Sequence, residues 1–338
     1  MNNYIDYSDM PDMIREFLMY LGTVKNKSQN TVKEYYLDLR TFFRFIKLKK
    51  GLVSDDVSFS EIDISDIDIS LIKSVTISDI YEFMNFSLTN RNNSAKTRAR
   101  KTSSLKTFYK YHTHKSLKLS IDPTQDLEAP KVKKSLPKYL TLEEALELLN
   151  AVDGKYRERD YCIITLFLNC GLRLSELTAL NINSFKGENQ LSVTGKGNKE
   201  RLVYLNDACI SALKEYKKVR PATGIKDRDA LFLSRQNNRI SPKTVQAMVN
   251  KYLQKIGLDG AGYSVHKLRH TAATLMYQHG NVDIRVLQDI LGHENLGTTE
   301  IYTHLSDKQM ESAAKATPLS KVKMRKNTDE NKAPEQAD

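Results

Sequence analysis

Between Leu117 and Leu140 the chain reads LKLSIDPTQDLEAPKVKKSLPKYL, and its prolines keep any single helix from running through it. Pro123, Pro130 and Pro137 each remove a backbone donor and clash with the preceding turn. Helical periodicity lies on both sides. The segment therefore predicts two folded units joined by a basic linker, and 338 residues are enough for two hydrophobic cores. Just beyond it, Thr141 and Glu144 form a capping box, with Leu142, Ala145, Leu148 and Leu149 on one face of the helix they start. The expected organisation is a first domain over 8–115, a linker over 116–137, a second domain over 138–318 and a polar, disordered tail over 319–338.

In the first domain, Ser28 is placed to cap a helix on which Val32, Tyr35, Tyr36, Leu39, Phe42, Phe43 and Ile46 form one stripe. Aromatic residues on a packing stripe belong to a core before they belong to a base-stacking surface. Residues 49–75, with the acidic alternation SEIDISDIDIS, are expected to form a solvated loop, and helical spacing resumes from Thr76 to Leu88. From Ser94 a basic helix follows, with Leu105, Phe108 and Tyr109 as its apolar seam. Its Lys96, Arg98, Arg100, Lys101 and Lys106 are candidate phosphate contacts, although a charge run alone also suits a solvated face.

A formal charge of +11 favours a polyanionic partner, since Lys and Arg can replace the counterions condensed on a nucleic acid. Cys162, Cys170 and Cys209 form no CxxC pair, so neither a zinc site nor a disulfide framework is indicated. The start MNNYIDYSDM lacks the pattern of a secretory signal. The most apolar run, CIITLFLNC at 162–170, is about half of the ~20 residues that span a bilayer. A soluble cytoplasmic protein with no membrane partner is expected.

The second domain is helical in pattern except at 191–205, where two β-prone runs flank a glycine-rich turn and predict a hairpin with Lys196 in its loop. Four segments carry candidate chemistry: GLRLSEL at 171–177, TGKGNKER at 194–201, HKLRH at 266–270 and LGHENLGTTEIYTH at 291–304. Alone, Arg173 and Glu176 could be a surface ion pair. His266 and His270 have the spacing of a metal pair, but Lys267 stands where HExxH needs its glutamate, which disfavours zinc. Together the segments supply what strand transfer without a metal requires. Two guanidinium groups can grip one phosphate bidentately and meet the charge that grows in its transition state. A tyrosine with pKa near 10 is only about 0.1% ionised at pH 7, so it needs a base and a positive setting.

In this order and spacing, from about Ser28 through His304, the chain resembles the tyrosine recombinase family, closest in style to the Xer recombinases. The resemblance implies a mainly α fold with a small β-hairpin, arranged as a two-domain, C-shaped DNA clamp with a SAM-like core-binding domain before the catalytic one. It implies that Arg173 and Arg269 are the catalytic arginines, Glu176 the acidic residue supporting them, and Lys196 the general acid, with Lys199 as its competitor. His266 then accepts the tyrosine proton, His293 donates to the scissile phosphate, and Tyr302 is the nucleophile. Strands would be cleaved and rejoined through a 3′-phosphotyrosine without metal or cofactor. The partner is a double-stranded recombination site, bound by a homo-tetramer or a hetero-tetramer with a related recombinase, and the segment after His304 docks on a neighbouring subunit. Chromosome dimer resolution is the expected role, with integration of a mobile element or a catalytically inactive DNA-binding relative as alternatives. An RNA-binding helical protein lacks support, because no RNP-type aromatic platform is found. Two features depart from the family pattern: Gly297 before the TT pair, and the acidic segment 52–70.

Overall fold

Hydroxyl caps begin three helices of the first unit in the computed structural model, which describes residues 7, 10–54, 56–132, 138–195, 200–279 and 282–292. Ser28 accepts from the Thr31 amide at 3.3 Å to start α2 (Gln29–Lys49), and Ser94 accepts from Thr97 at 3.2 Å to start α5 (Ala95–His114). Thr76 and Asp79 form a reciprocal capping box at α4 (Ile77–Thr89), while Asp68 caps the short α3 (Ile69–Lys73). One helix precedes the first predicted start. Helix α1 (Asp12–Thr23) follows Pro11, which offers no side-chain cap, so only the buried face of Met13, Ile14, Phe17, Leu18 and Leu21 marks it.

The chain divides into two compact units, Met1–Lys134 and Ser135–Asp338. In the first, Phe17, Phe42, Phe43, Phe83 and Phe108 are fully buried and meet largely edge to face, at centroid distances of 5.1–5.9 Å. The stripe read from Ser28 is thus core. Asp38 on α2 is buried as well and accepts from Arg100 at 2.8 Å, Lys101 at 3.1 Å and Ser104 at 2.9 Å, which fastens α5 to α2. Leu119 and Leu127 also enter this core, although both fall in the segment read as linker.

The acidic alternation is not a solvated loop throughout. Ile62, Ile64 and Ile67 are buried, and the intervening aspartates reach back to α2, where Lys47 donates to Asp66 at 2.7 Å and to the Asp63 carbonyl at 3.0 Å. Alternation of apolar and charged residues describes a half-buried segment even where the backbone forms turns instead of a strand.

The second unit is assembled around α7 (Arg157–Cys170), which is buried on every side from Cys162 to Leu168 and packs against α9 (Asp207–Val219) and α11 (Val265–His279). Its apolar run is therefore a core helix. Helix α6 (Leu142–Asn150) starts with the predicted capping box, Thr141 with Glu144, and α10 (Pro242–Lys255) is capped by Ser241. Strands β1 (Gln190–Thr194) and β2 (Glu200–Tyr204) pair antiparallel, with Gln190 opposite Tyr204 and Thr194 opposite Glu200. The expected hairpin is present, but its residues 196–199 lie outside the described residues. The remaining elements among the described residues are α8 (Leu174–Ala179), a short 3-10 turn at Ile182–Ser184 and α12 (Ile284–Leu291). Among the described residues no helix is long and apolar enough to cross a membrane.

Candidate active site

Helix α7 stops at Gly171, whose φ of 58° lies in the left-handed region that glycine enters without strain. The chain then passes through buried Leu172 and turns into α8, with Arg173 as N-cap. Glu176 reaches back to that cap, accepting from the Arg173 amide at 2.7 Å and from its guanidinium Nη1 at 2.7 Å. A second guanidinium arrives from β2, where Arg201 donates Nη1 to Oε1 at 2.7 Å and Nη2 to Oε2 at 3.0 Å. Arg269 on α11 comes within 3.9 Å of Oε2. The Glu176 side chain has no exposed surface. Burial pushes its carboxyl pKa up, but the bonds from Arg201 and Arg173 outweigh burial and hold it below the usual carboxylate value. These four side chains, three cations and one anion, carry a net charge of +2.

The same three arginines meet the end of α12. A helix leaves its last carbonyls without intrahelical donors, and here three successive ones are each taken by a different guanidinium. The Ile290 carbonyl accepts from Arg201 Nε at 3.2 Å, that of Leu291 from Arg269 Nη2 at 2.5 Å, and that of Gly292 from Arg173 Nη2 at 2.7 Å. Arg269 Nη1 also donates to the Gly171 carbonyl at 2.6 Å, so one side chain ties the ends of α7 and α12 together. Both helix ends carry partial negative charge, which favours cations there. Gly292, with φ of 63°, closes α12, and a Cβ on it would lie 3.1 Å from Arg201 Cδ.

The expected residues Arg173, Glu176 and Arg269 are thus brought together. His266 is exposed in the first turn of α11, three residues before Arg269. His270, one turn further, has its pKa lowered to about 4, first by burial and then by the neighbouring positive charges of Lys267, His266 and Arg269. Lys196, Lys199, His293, Gly297, Tyr302, the segment after His304 and the tail over 319–338 lie outside the described residues. On α5, Lys96 is exposed, Arg98 donates to the Asn93 carbonyl, and Lys106 donates to the Leu127 carbonyl. Arg100 pairs with Glu34 and Asp38, and Lys101 is buried against Asp38. Arg201 was not among the predicted residues. Its signal was an arginine at an inward position of β2, in register with buried Val203, where a charge demands a partner.

With this geometry in view, two family models match: the phage integrase family over residues 138–309 and the phage integrase N-terminal SAM-like domain over 14–116. The chain belongs to the phage integrase family. Within it, the chain is an Xer-like tyrosine recombinase, an enzyme of site-specific recombination that cleaves and rejoins DNA. It is 54% identical over 318 residues to the tyrosine recombinase XerC of Caldanaerobacter subterraneus subsp. tengcongensis, covering 94% of this chain and 90% of that one. The XerC of Thermodesulfovibrio yellowstonii is 34% identical, with 91% and 97% covered. Among solved structures, the XerH site-specific recombinase bound to its difH substrate in a pre-cleavage complex matches with a TM-score of 0.64 at 25% identity, covering 86% of this chain and 80% of that one. A lambda integrase dimer on a COC′ core site, 16% identical with a TM-score of 0.64, covers 85% of this chain and 95% of that one and shares the fold. Like these relatives' fold, the described residues have a mainly α architecture with one small two-stranded sheet. The mobile-element reading is not favoured.

Proposed function

We propose that this recombinase cleaves a duplex recombination site with Tyr302, forming a 3′-phosphotyrosine link, and that Arg173 and Arg269 activate the scissile phosphate. The observation that carries the reading is the arginine cluster gathered on Glu176 and the end of α12, which places a net charge of +2 on side chains already locked in position. Attack on a phosphodiester builds negative charge on the nonbridging oxygens, and donors fixed beforehand stabilise that charge without reorganising. Arg173, whose side chain is 28% exposed, is the member that solvent and DNA reach most readily. Arg269, at 7%, supplies charge from below.

His266 accepts the tyrosine proton, Lys196 protonates the leaving 5′ oxygen and His293 donates to the phosphate. A 5′ hydroxyl of the partner strand then attacks the phosphotyrosine, releasing Tyr302 and restoring a phosphodiester, so bond count and charge are conserved without an external energy source. The first unit serves as the core-binding domain and the second as the catalytic domain, and each contacts the DNA. On α5, Lys96, Arg98, Arg100 and Lys106 face phosphate, while Lys101 holds the helix to Asp38. The working assembly is a tetramer on two sites, made of one chain or of two related ones, and it resolves chromosome dimers in the cytoplasm. The named XerC relatives and the XerH complex support this role.

The test uses a nicked suicide duplex carrying the site recovered from DNA that co-purifies with the protein. At saturating DNA, Arg173→Ala and Arg269→Ala each lower the single-turnover rate of covalent complex formation by about 100-fold or more, the scale of losing one transition-state donor. Rates within about threefold of wild type in both variants contradict the assignment, since a lost transition-state donor costs far more.

A further inference from the structure

Arg201 stands outside the proposed catalytic set, yet it is bonded to the same scaffold, Glu176 and the end of α12. It lies on β2, and its side chain is 15% exposed. Its planar fork spans both oxygens of Glu176, at 2.7 and 3.0 Å, and its Nε turns the other way to the Ile290 carbonyl at 3.2 Å. Glu176 in turn fixes Arg173 through amide and guanidinium. The aliphatic stem of Arg201 lies against Gly292, where a Cβ would sit 3.1 Å from its Cδ and 3.3 Å from its Nε. The residue therefore fastens three separate elements: the strand of the hairpin, the start of α8 and the end of α12.

We propose that Arg201 is a positioning residue for DNA cleavage, holding the Glu176 carboxylate that orients Arg173 and seating the turn at Ile290–Gly292. Without it, Glu176 loses two of its four hydrogen bonds, the remaining two coming from Arg173 itself. Arg173 then keeps the Gly292 carbonyl and a Glu176 held less firmly, so its guanidinium is aimed less sharply. Geometry explains why arginine occupies the position. The three donors of a lysine ammonium share one nitrogen, so it cannot reproduce the spread of the guanidinium, whose Nη1 and Nη2 meet the two Glu176 oxygens while its Nε meets the Ile290 carbonyl. Groups that orient a site's working ligands commonly contribute 10–100-fold to activity without touching the reacting atoms.

The inference rests on the recombinase reading, and its test separates the two. Single-turnover cleavage of the nicked suicide duplex is measured over a range of DNA concentrations for wild type, Arg201→Lys and Arg201→Ala. Folding of each variant is checked by circular dichroism at the assay temperature. The expected result is a maximal rate about 10–100-fold lower in Arg201→Ala, with the half-saturating DNA concentration within about threefold of wild type. Arg201→Lys recovers only a minor part of the rate, and methylguanidinium in solution partly restores Arg201→Ala while leaving Arg201→Lys unchanged. Three results overturn the proposal: a maximal rate within about threefold of wild type in either folded variant, a loss confined to DNA affinity, or a loss that vanishes on cooling to where the variant is fully folded. If Arg201→Ala does not fold, Arg201→Lys carries the same comparison, with full activity as the contradicting outcome. An inactive wild type sinks the recombinase reading itself, whereas an active wild type beside an equally active Arg201→Lys sinks this inference alone.

Discussion

A carboxylate with no exposed surface stays charged only where cations repay its lost hydration, and Glu176 has three. Removing it strands those cations in partly buried positions. Glu176→Ala is expected to destabilise the protein by about 3–5 kcal/mol, the cost of breaking a buried ion pair from one side. Glu176→Gln, which keeps an acceptor and the volume, loses less. Urea denaturation of both variants checks this, and equal, negligible losses would show that the cluster is not coupled to folding. Because its bonds hold Glu176 below the ordinary carboxylate value, its contribution is present above about pH 4.5 and is lost as pH falls through the folded value. The spacing of Arg173 and Glu176 was legible in the sequence, but taken alone it suited an exposed pair equally well. Burial of Glu176 depends on Arg201 and Arg269, distant in the chain, and the three carbonyls of α12 have no sequence signature at all.

Helix starts were legible where a side-chain cap precedes a clear apolar stripe, as at Ser28, Ser94 and Thr141, but not at the Asp68 cap of the short α3. They were not legible at α1, where the backbone at Pro11 begins a helix without one. Helix α1 is secured instead by packing and by His112 of α5. His112 is buried, with Nε2 at 3.0 Å from the Met13 carbonyl and Nδ1 at 2.8 Å from Ser116 Oγ. A carbonyl can only accept, so Nε2 carries the proton and Nδ1 accepts from Ser116. Burial lowers the His112 pKa to about 4, against an ordinary value of 6.5. In the unfolded chain the imidazole takes up a proton that the fold refuses between these limits, so stability rises with pH across that window and is fully present above it. The melting temperature is therefore expected to fall as pH drops from 6.5 towards 4, and the slope to flatten in His112→Gln. Some slope remains in that variant because His270 is shifted in the same direction. A wild-type melting temperature independent of pH over this range contradicts the account.

At the scale of the molecule, the chain divides into two units, and each has a core of its own. The aromatic cluster of the first lies within residues 10–127, and the large cluster of the second within 140–268. Where one unit gives way to the next was harder to read, because Leu119 and Leu127 are isolated apolar residues whose partners lie on distant helices. Residues 1–134 and 135–338, produced separately, are expected each to unfold cooperatively in urea; a fragment with no cooperative transition shows that it borrows its core from the other. The recombinase class was legible for a different reason: the candidate groups are polar residues in short motifs, and their order along the chain can be read without knowing their spatial neighbours.

The central claim is that one tyrosine becomes joined to DNA, and mapping that bond tests it most directly. The covalent complex formed on the nicked suicide duplex is digested with nuclease and trypsin, and the peptide that keeps a nucleotide is identified by mass spectrometry. The account predicts that the adduct lies on Tyr302 and that Tyr302→Phe binds the same duplex but forms no covalent complex. An adduct on another residue, or an undiminished covalent complex in Tyr302→Phe, contradicts it.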